Sequence, residues 1–250
     1  MSDPIPGLVL AVVSGKGGVG KSTLAVNLAE AFADGGHSVA LLDADFDQSS
    51  CGVLLNEEPA ATLAAVDRGA VPLERAFHTT ASGVTLLCGG TTRRADAPLG
   101  TLDRALDLAA QTHSVVLIDA PAGAGPTVQW ALDRADAGVL VLVGEPAAVK
   151  GAYALVKTVW QAAPGYPFLA LVNAADTDAD ATHTTERFAD LTRQFLDAEP
   201  SPLGWVPYDA QVRASARDQV PAVRRSGALR SSMAGVAGRL APLLPTPVAR

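Results

Sequence analysis

The chain reads Gly15-Lys16-Gly17-Gly18-Val19-Gly20-Lys21-Ser22 between an apolar run at residues 8–13 and a stretch with helical spacing at 22–33, and this segment decides the fold. It fits the pattern G-x-x-x-x-G-K-[S/T], which needs a strand before it and a helix after it. Its glycines let successive backbone N–H groups converge on phosphate oxygens, and the helix N-terminus adds positive charge. The segment therefore predicts a phosphate-binding loop in which Lys21 contacts the outer phosphates and the Ser22 hydroxyl ligates Mg²⁺. Contacts to the nucleotide are expected from Gly15, Gly17, Gly18, Val19, Gly20, Lys21, Ser22 and Thr23.

Short apolar runs recur along the rest of the chain and are typical of strands that are buried on both faces. They lie at residues 8–13, 39–42, 84–87, 115–118, 139–143, 168–172 and 203–206. Stretches with helical spacing lie between most of them, at residues 22–33, 99–110, 147–162 and 182–196. This alternation predicts a single α/β domain with a doubly wound, mostly parallel sheet, helices on both faces and ligands beyond the carboxyl ends of the strands.

The bulk composition agrees with one globular domain. With 250 residues and 48% apolar content, the chain can bury one substantial core. We expect the domain at residues 8–241, an extended or disordered segment at 1–7 and a short proline-rich tail at 242–250. The net charge of −7 argues against a protein that coats nucleic acid with its whole surface, because duplex binding depends on neutralising phosphates.

The chain shows no targeting signal and is expected to be cytoplasmic, with a peripheral position at the inner face of the membrane or at a cell pole left open. No apolar run approaches the about 18 to 20 residues that a membrane span needs, and the N-terminus lacks the positive region of a signal peptide. Cys51 and Cys88 are the only cysteines and lie outside any C-x-x-C spacing. They predict two small buried thiols rather than a disulfide framework or a metal site.

Lys16 sets this loop apart, because an ordinary phosphate loop needs no lysine at that position. Residues 16–23, Lys-Gly-Gly-Val-Gly-Lys-Ser-Thr, resemble the deviant phosphate loop of the MinD/ParA family of ATPases. The resemblance extends over residues 8–241 and implies ATP and Mg²⁺ as ligands, slow ATP hydrolysis and an ATP-dependent homodimer. It also implies that Lys16 reaches across the dimer interface to the partner's nucleotide. The alternative is that Lys16 is a solvated loop charge.

Acidic residues end two of the predicted strands. Leu42-Asp43-Ala44-Asp45 resembles the first switch of the family, and the strand that ends at Asp119 is followed by Ala120-Pro121-Ala122-Gly123, which resembles the second switch. The resemblance implies that Asp43 and Asp119 hold Mg²⁺ through water. Asp45 would orient or deprotonate the attacking water and act in catalysis together with Lys16 and Lys21, since phosphoryl transfer is catalysed mostly by positioning and charge. The alternative role of the first two acids, Asp43 and Asp45, is strand-end capping, and Asp47 is expected to be solvated.

Two later segments resemble the part of the family's site that holds the base. Leu171-Val172-Asn173 resembles the strand end that reads adenine, and residues 204–209, Gly-Trp-Val-Pro-Tyr-Asp, resemble the loop that closes over it. The resemblance implies that Asn173, Pro207 and Asp209 contact the nucleotide. The alternative is a plain strand end followed by a proline turn.

One stretch narrows the resemblance to the FlhG branch of flagellar-number regulators. Glu145-Pro146 and residues 151–157, Gly-Ala-Tyr-Ala-Leu-Val-Lys, are similar to that branch. It implies an FlhF-like GTPase or another protein as partner and a role in the position or number of flagella. Two features depart from the branch: the proline-rich residues 242–247 cannot form an amphipathic membrane-targeting helix, and the short N-terminus leaves no room for an activating extension.

The C-terminal region carries a basic patch and one amphipathic face. The patch, Arg213–Arg230, contains Arg213, Arg217, Arg224, Arg225 and Arg230 with Asp218 as its only acid. It could meet anionic lipid, DNA or an acidic partner, or be an ordinary solvated face. The spacing of Leu229, Met233, Val236 and Leu240 predicts the core-facing side of a final helix rather than a membrane anchor.

Three other classes of the superfamily compete with the regulator. A DNA-segregating ParA would bind DNA without sequence preference through Arg224 and Arg225, which the acidic balance of the chain disfavours. An iron–sulfur carrier needs cysteines near the second switch or a C-x-x-C near the end, and a tyrosine kinase of related fold needs a tyrosine cluster in its tail. The sequence has neither.

Overall fold

A computed structural model of the chain describes residues 7–91 and 97–245. Residues 1–6, 92–96 and 246–250 lie outside the described residues, and so do most of the predicted terminal segments at 1–7 and 242–250. Within the described part, eight strands form one sheet in the order β3-β4-β2-β5-β1-β6-β7-β8. Of these, β3 is antiparallel to β4 and the other neighbours are parallel. The strands are β1 Leu8–Val13, β2 Val39–Asp43, β3 His78–Thr79, β4 Thr85–Leu87, β5 Val115–Asp119, β6 Ala137–Leu142, β7 Phe168–Ala175 and β8 Ser201–Pro207.

Helices cover both faces of this sheet, as right-handed crossovers between parallel strands require. They are α1 Lys21–Asp34, α2 Cys51–Leu55, α3 Leu63–Asp67, α4 Leu99–Thr112, α5 Pro126–Arg134, α6 Pro146–Ala162, α7 Asp178–Leu196, α8 Ala210–Arg217 and α9 Gly227–Leu240. Alternate residues of β1 enter two separate apolar clusters. Leu8, Leu10 and Val12 pack with α1 and α9, whereas Val9, Ala11 and Val13 belong to the cluster that contains α4 to α7. The predicted doubly wound α/β fold is confirmed.

The strands and long helices that the sequence predicts are present with ends displaced by a few residues. The differences are the short elements: β3 has two residues, α2 and α3 have five each, and α5 and α8 have nine and eight. A strand of two residues and helices of five to nine residues are too short to show a clear hydrophobic period, which explains why sequence patterns missed them. The predicted boundaries of the domain, 8–241, remain a prediction.

The amphipathic face of α9 points into the core, as predicted. Leu229, Met233, Val236 and Leu240 are each at most 2% exposed, and α9 packs against α1 and β8. Across the described residues, the structure contains no helix with the length and apolar content that a bilayer crossing requires.

Candidate functional site

The loop between β1 and α1 has the backbone geometry that its glycines predict. Gly18 and Gly20 adopt left-handed φ angles of 80° and 88°, and Gly20 is the N-cap of α1. A Cβ on Gly20 would lie 2.4 Å from the Asn173 side-chain nitrogen. That nitrogen donates a hydrogen bond of 2.8 Å to the carbonyl oxygen of Val19. Position 20 therefore requires glycine. The hydrogen bond also connects Asn173 of β7 to the loop.

A second close contact joins the loop to α6. A Cβ on Gly15 would lie 1.9 Å from the carbonyl carbon of Gly151, and a Cβ on Gly151 would lie 2.5 Å from the Gly15 oxygen. Two backbones touch here without side chains between them. The isolated glycine inside the helical pattern of α6 is the sequence signal for such an approach, although the pattern does not name its partner.

The two predicted magnesium acids lie side by side. Asp43 ends β2 and Asp119 ends β5, the two are partners in the parallel register, and both are fully buried. Lys21 Nζ lies 2.7 Å from Asp119 Oδ1. Asp43 Oδ2 accepts hydrogen bonds from the Ser49 hydroxyl at 2.9 Å and from the Cys51 backbone N–H at 3.1 Å. The carboxyl ends of parallel strands thus bring Lys21 and both carboxylates together, as the sequence predicts.

The environment of Asp43 favours its protonated form. Burial raises the pKa of Asp43 to about 7, and the neighbouring Asp119 charge adds to that effect, whereas hydrogen bonds from Cys51, Ser49 and Asp45 oppose it. When both carboxylates are ionised, the buried site has one negative charge more than the Lys21 ammonium can balance. A divalent cation would compensate that charge, and oxygen donors are the ligands that Mg²⁺ prefers.

Cys51 lies in the same cluster, which sequence reasoning did not predict. The ligand atoms of Asp43, Cys51 and Asp119 lie within 4.8 Å of one another, and Cys51 Sγ is 3.4 Å from Asp119 Oδ2. Both cysteines are buried, as expected. Burial raises the pKa of Cys51 well above its usual value and that of Cys88 to about 12, so both are neutral thiols at physiological pH. Cys51 is 68 positions from Asp119, and no spacing rule connects them.

Asp45 lies at the edge of a cavity of about 410 Å³, together with Lys21, Ser22, Thr23 and Ala122. We call it the magnesium-side cavity because Ser22 is a predicted Mg²⁺ ligand. Asp45 is half-buried and its Oδ1 accepts hydrogen bonds from the backbone N–H groups of Asp47 at 3.2 Å and Gln48 at 2.9 Å. This turn fixes the carboxylate at the cavity wall. Asp47 is exposed, as predicted.

A second cavity of about 590 Å³ lies on the other side of the loop, within the size range of small-molecule sites. It brings together the predicted base-contacting residues Asn173, Pro207 and Asp209 with residues 16–20. Asp209 Oδ1 accepts the Gln211 N–H at 2.8 Å as the N-cap of α8. Hydrogen bonds from the Ser226 side chain and from Gln211 hold the pKa of Asp209 below its usual value. Tyr208, from the predicted loop at residues 204–209, also lines this cavity, together with Glu145, Val212 and Arg213, which the sequence analysis did not assign to the base.

Lys16 borders both cavities and is paired within its own subunit. Its Nζ lies 2.7 Å from Glu145 Oε2, with the Lys16 side chain 43% exposed and the Glu145 side chain 67% exposed. Glu145 immediately precedes α6 and is its N-cap. Lys16, which the family resemblance assigns to a partner's nucleotide, is thus ion-paired with Glu145 of its own subunit.

Local carboxylates offset part of the charge of the predicted basic patch. Arg224 donates to buried Glu30 at 2.6 and 2.9 Å, and Arg230 donates to the Val223 carbonyl at 3.0 Å. Arg217 and Arg225 both contact Asp218, at 3.2 and 2.6 Å. Arg213 is exposed at the second cavity and has no ion-pair partner among the described residues. These pairs lower the net charge of the patch at residues 213–230, and its contact with lipid or DNA stays a prediction.

Comparisons with known proteins agree with this geometry. A family model described as ParA, NUBPL iron-transfer P-loop NTPase, matches residues 7–234. The chain is 32% identical to Antiactivator FleN of Pseudomonas aeruginosa over 219 residues, which cover 86% of this chain and 78% of that protein. It is 29% identical to Flagellum site-determining protein YlxH of Helicobacter pylori over 153 residues, 59% of this chain and 52% of that protein. The septum site-determining protein MinD of Pyrococcus horikoshii, complexed with Mg-ADP, has the same fold, with a TM-score of 0.80 at 23% identity over 94% of this chain and 96% of that one.

Proposed function

This chain belongs to the ParA/MinD family of P-loop NTPases, and we propose that it is a switch that dimerises with bound Mg²⁺ and ATP and separates after slow hydrolysis. The observation that carries this proposal is the arrangement at the ends of β1, β2 and β5. There Lys21 lies 2.7 Å from Asp119, Asp43 is the register partner of Asp119, and a glycine cradle opens beside them.

The donor set of the site fits magnesium and a triphosphate. The Ser22 hydroxyl and the carboxylates of Asp43 and Asp119 are hard oxygen donors, and we assign them to Mg²⁺, with the two carboxylates acting through water. Mg²⁺ would neutralise charge on the β- and γ-phosphates. Lys21 would exchange its contact with Asp119 for the phosphates. MinD from Pyrococcus horikoshii, which shares this fold, is complexed with Mg-ADP, and this supports Mg²⁺ and a nucleotide as ligands.

Hydrolysis would depend on how the chain places an attacking water. Asp45 is held at the wall of the magnesium-side cavity by its contacts to Asp47 and Gln48, and its carboxylate would accept a hydrogen bond from that water. Asn173, Pro207 and Asp209 would enclose the base in the other cavity. Lys16, between the two cavities, would complete the partner's site, so that ATP binding and dimerisation become one event.

The biological role that we propose is the control of flagellar position or number, through a protein partner such as an FlhF-like GTPase. The relative YlxH is named a flagellum site-determining protein and FleN an antiactivator, which supports a regulator that acts on other proteins. We place this activity in the cytoplasm or at the inner face of the membrane. Counting flagella in cells that lack this chain, and in cells that carry the Lys16→Ala variant, tests this role; unchanged flagella in both would refute it.

Two related roles have less support. Segregation of DNA would need a free basic surface, and three of the five arginines of the candidate, Arg217, Arg224 and Arg225, are in ion pairs. Iron transfer, which the family model's description mentions, would need exposed thiols. The chain's two cysteines, Cys51 and Cys88, are both buried, so we do not assign that role.

A further inference from the structure

The pair formed by Lys16 and Glu145 joins the phosphate loop to the N-terminus of α6. Glu145 caps α6, and its backbone oxygen accepts hydrogen bonds from the N–H groups of Ala148 at 3.0 Å and Val149 at 3.1 Å. Further along α6, Gly151 is in backbone contact with Gly15, the residue before Lys16. Both ends of the pair are therefore attached to one rigid unit, and little backbone freedom is lost when it forms.

The proposed dimer creates a competition for the Lys16 ammonium. Lys16 Nζ is 2.7 Å from the Glu145 carboxylate in the single subunit. The partner's triphosphate carries more negative charge than one carboxylate, and the closed interface has a lower dielectric constant than the exposed surface where the pair now lies. The triphosphate would bind Lys16 more strongly than Glu145 does, but only after the pair of Lys16 and Glu145 is broken.

We propose that Glu145 is a positioning residue that holds Lys16 on its own subunit and so raises the protein concentration at which ATP drives dimerisation. This inference rests on the proposed ATP-dependent dimer. Dimerisation depends on protein concentration in any case, and the contact shifts the concentration that is needed. The threshold rises because two such contacts must open in each dimer.

The size of the effect follows from the exposure of the pair. An exposed ion pair shifts an equilibrium by about 1.4- to 5-fold. Since a dimer breaks two of them, the dissociation constant of the dimer without these pairs would be about 2- to 30-fold lower. This is a tuning effect, and the dimer still forms when the pair is present.

The test compares Glu145→Gln with the wild-type protein. Sedimentation at several protein concentrations with Mg²⁺ and ATP gives the dimer dissociation constant, and ATP hydrolysis as a function of protein concentration gives its midpoint. Glu186→Gln, on the exposed surface of α7, is the matched control for the loss of one negative charge. We expect the dissociation constant and the midpoint to fall about 2- to 30-fold in Glu145→Gln and to remain unchanged in Glu186→Gln.

A second measurement addresses the resting subunit directly. The chain contains only Lys16, Lys21, Lys150 and Lys157, so acetylation by a limiting amine reagent can be followed at each lysine by mass spectrometry. In nucleotide-free protein, Lys16 should be acetylated faster in Glu145→Gln than in wild type, whereas exposed Lys157 should not change. Equal acetylation of Lys16 in the two proteins would overturn the proposed contact.

The outcomes separate this inference from the proposed function. If wild-type protein stays monomeric with Mg²⁺ and ATP at every concentration, the proposed dimer itself is wrong. If wild type dimerises but Glu145→Gln has the same dissociation constant, or a weaker dimer, then Glu145 does not restrain Lys16. Glu145→Asp, which keeps the charge, should return the constant toward the wild-type value. A merely structural role would instead lower the melting temperature of both variants.

Discussion

Lys21 Nζ lies 2.7 Å from Asp119 Oδ1, and both side chains are buried, at 8% and 0% exposure. The lysine that would contact phosphates in the proposed function is therefore desolvated and held beside Asp119. Asp43 stands beside the pair as the register partner of Asp119. The phosphate loop and the magnesium acids are thus one packed unit, and changes in it should alter stability as well as nucleotide binding.

Replacing Lys21 with alanine should destabilise the nucleotide-free protein. The change leaves Asp119 buried without its partner, and removing one member of a buried pair typically costs about 3 to 5 kcal/mol. Urea denaturation followed by tryptophan fluorescence measures this loss. Lys157→Ala, on the exposed surface of α6, should stay within about 0.5 kcal/mol of wild type. A Lys21→Ala protein as stable as Lys157→Ala would mean that the buried pair does not exist in solution.

The contribution of Asp43 to the stability of the protein should fall as the pH rises through the range below about 7. The pKa of Asp43 is raised to about 7, mainly by burial, whereas in the unfolded chain it has its usual value near 3.8. Between these values the folded state binds a proton that the unfolded state does not, so stability is lost as pH increases and levels off above the folded pKa.

Asp43→Asn removes that titration and supplies the control for it. Denaturation of both proteins at several pH values from 5 to 8, a window of about three units, gives their free energies of unfolding. As the pH rises, the free energy of unfolding of wild type should decrease relative to that of Asp43→Asn. A difference that does not depend on pH would show that Asp43 has an ordinary pKa.

Gly151→Ala should disturb the phosphate loop from the α6 side. Its Cβ would lie 2.5 Å from the Gly15 carbonyl oxygen, which is backbone and cannot rotate away. We expect a loss of about 1 to 3 kcal/mol in stability and weaker ATP binding in calorimetry. Gly238→Ala, in α9 with no atom within 4 Å of its Cβ, should instead be neutral or stabilise the protein by up to about 1 kcal/mol. Wild-type ATP affinity in Gly151→Ala would contradict the contact.

Arg224→Ala should unfold more easily than Arg213→Ala, although both remove one positive charge from the predicted basic patch. Arg224 pairs with Glu30, which is only 2% exposed and would keep only the Ser82 hydroxyl as a hydrogen-bond donor. A buried group that loses a partner costs about 1 to 3 kcal/mol or more. Arg213 has no such partner among the described residues. Thermal unfolding of the two variants checks this order, and equal melting temperatures would indicate that Arg224 is a solvated surface charge.

The parts of the fold that follow local rules could be predicted from the sequence. The loop at residues 15–22, the strands and the acids at strand ends are recognised because each depends on neighbours in the chain and on where parallel strands end. The contact of Gly15 with Gly151, the pair of Lys16 with Glu145 and the place of Cys51 depend on how distant segments pack. No pattern in one sequence encodes those distances, and the arginine partners were missed for the same reason.

The most direct test of the account is sedimentation of wild-type protein and Lys16→Ala with Mg²⁺ and either ATP or ADP. We predict that wild type becomes a dimer with Mg²⁺ and ATP but not with Mg²⁺ and ADP. Lys16→Ala should stay a monomer with either nucleotide, because neither site of the dimer would receive the lysine of the partner subunit. A Lys16→Ala protein that dimerises with ATP and hydrolyses it at the wild-type rate would contradict the account.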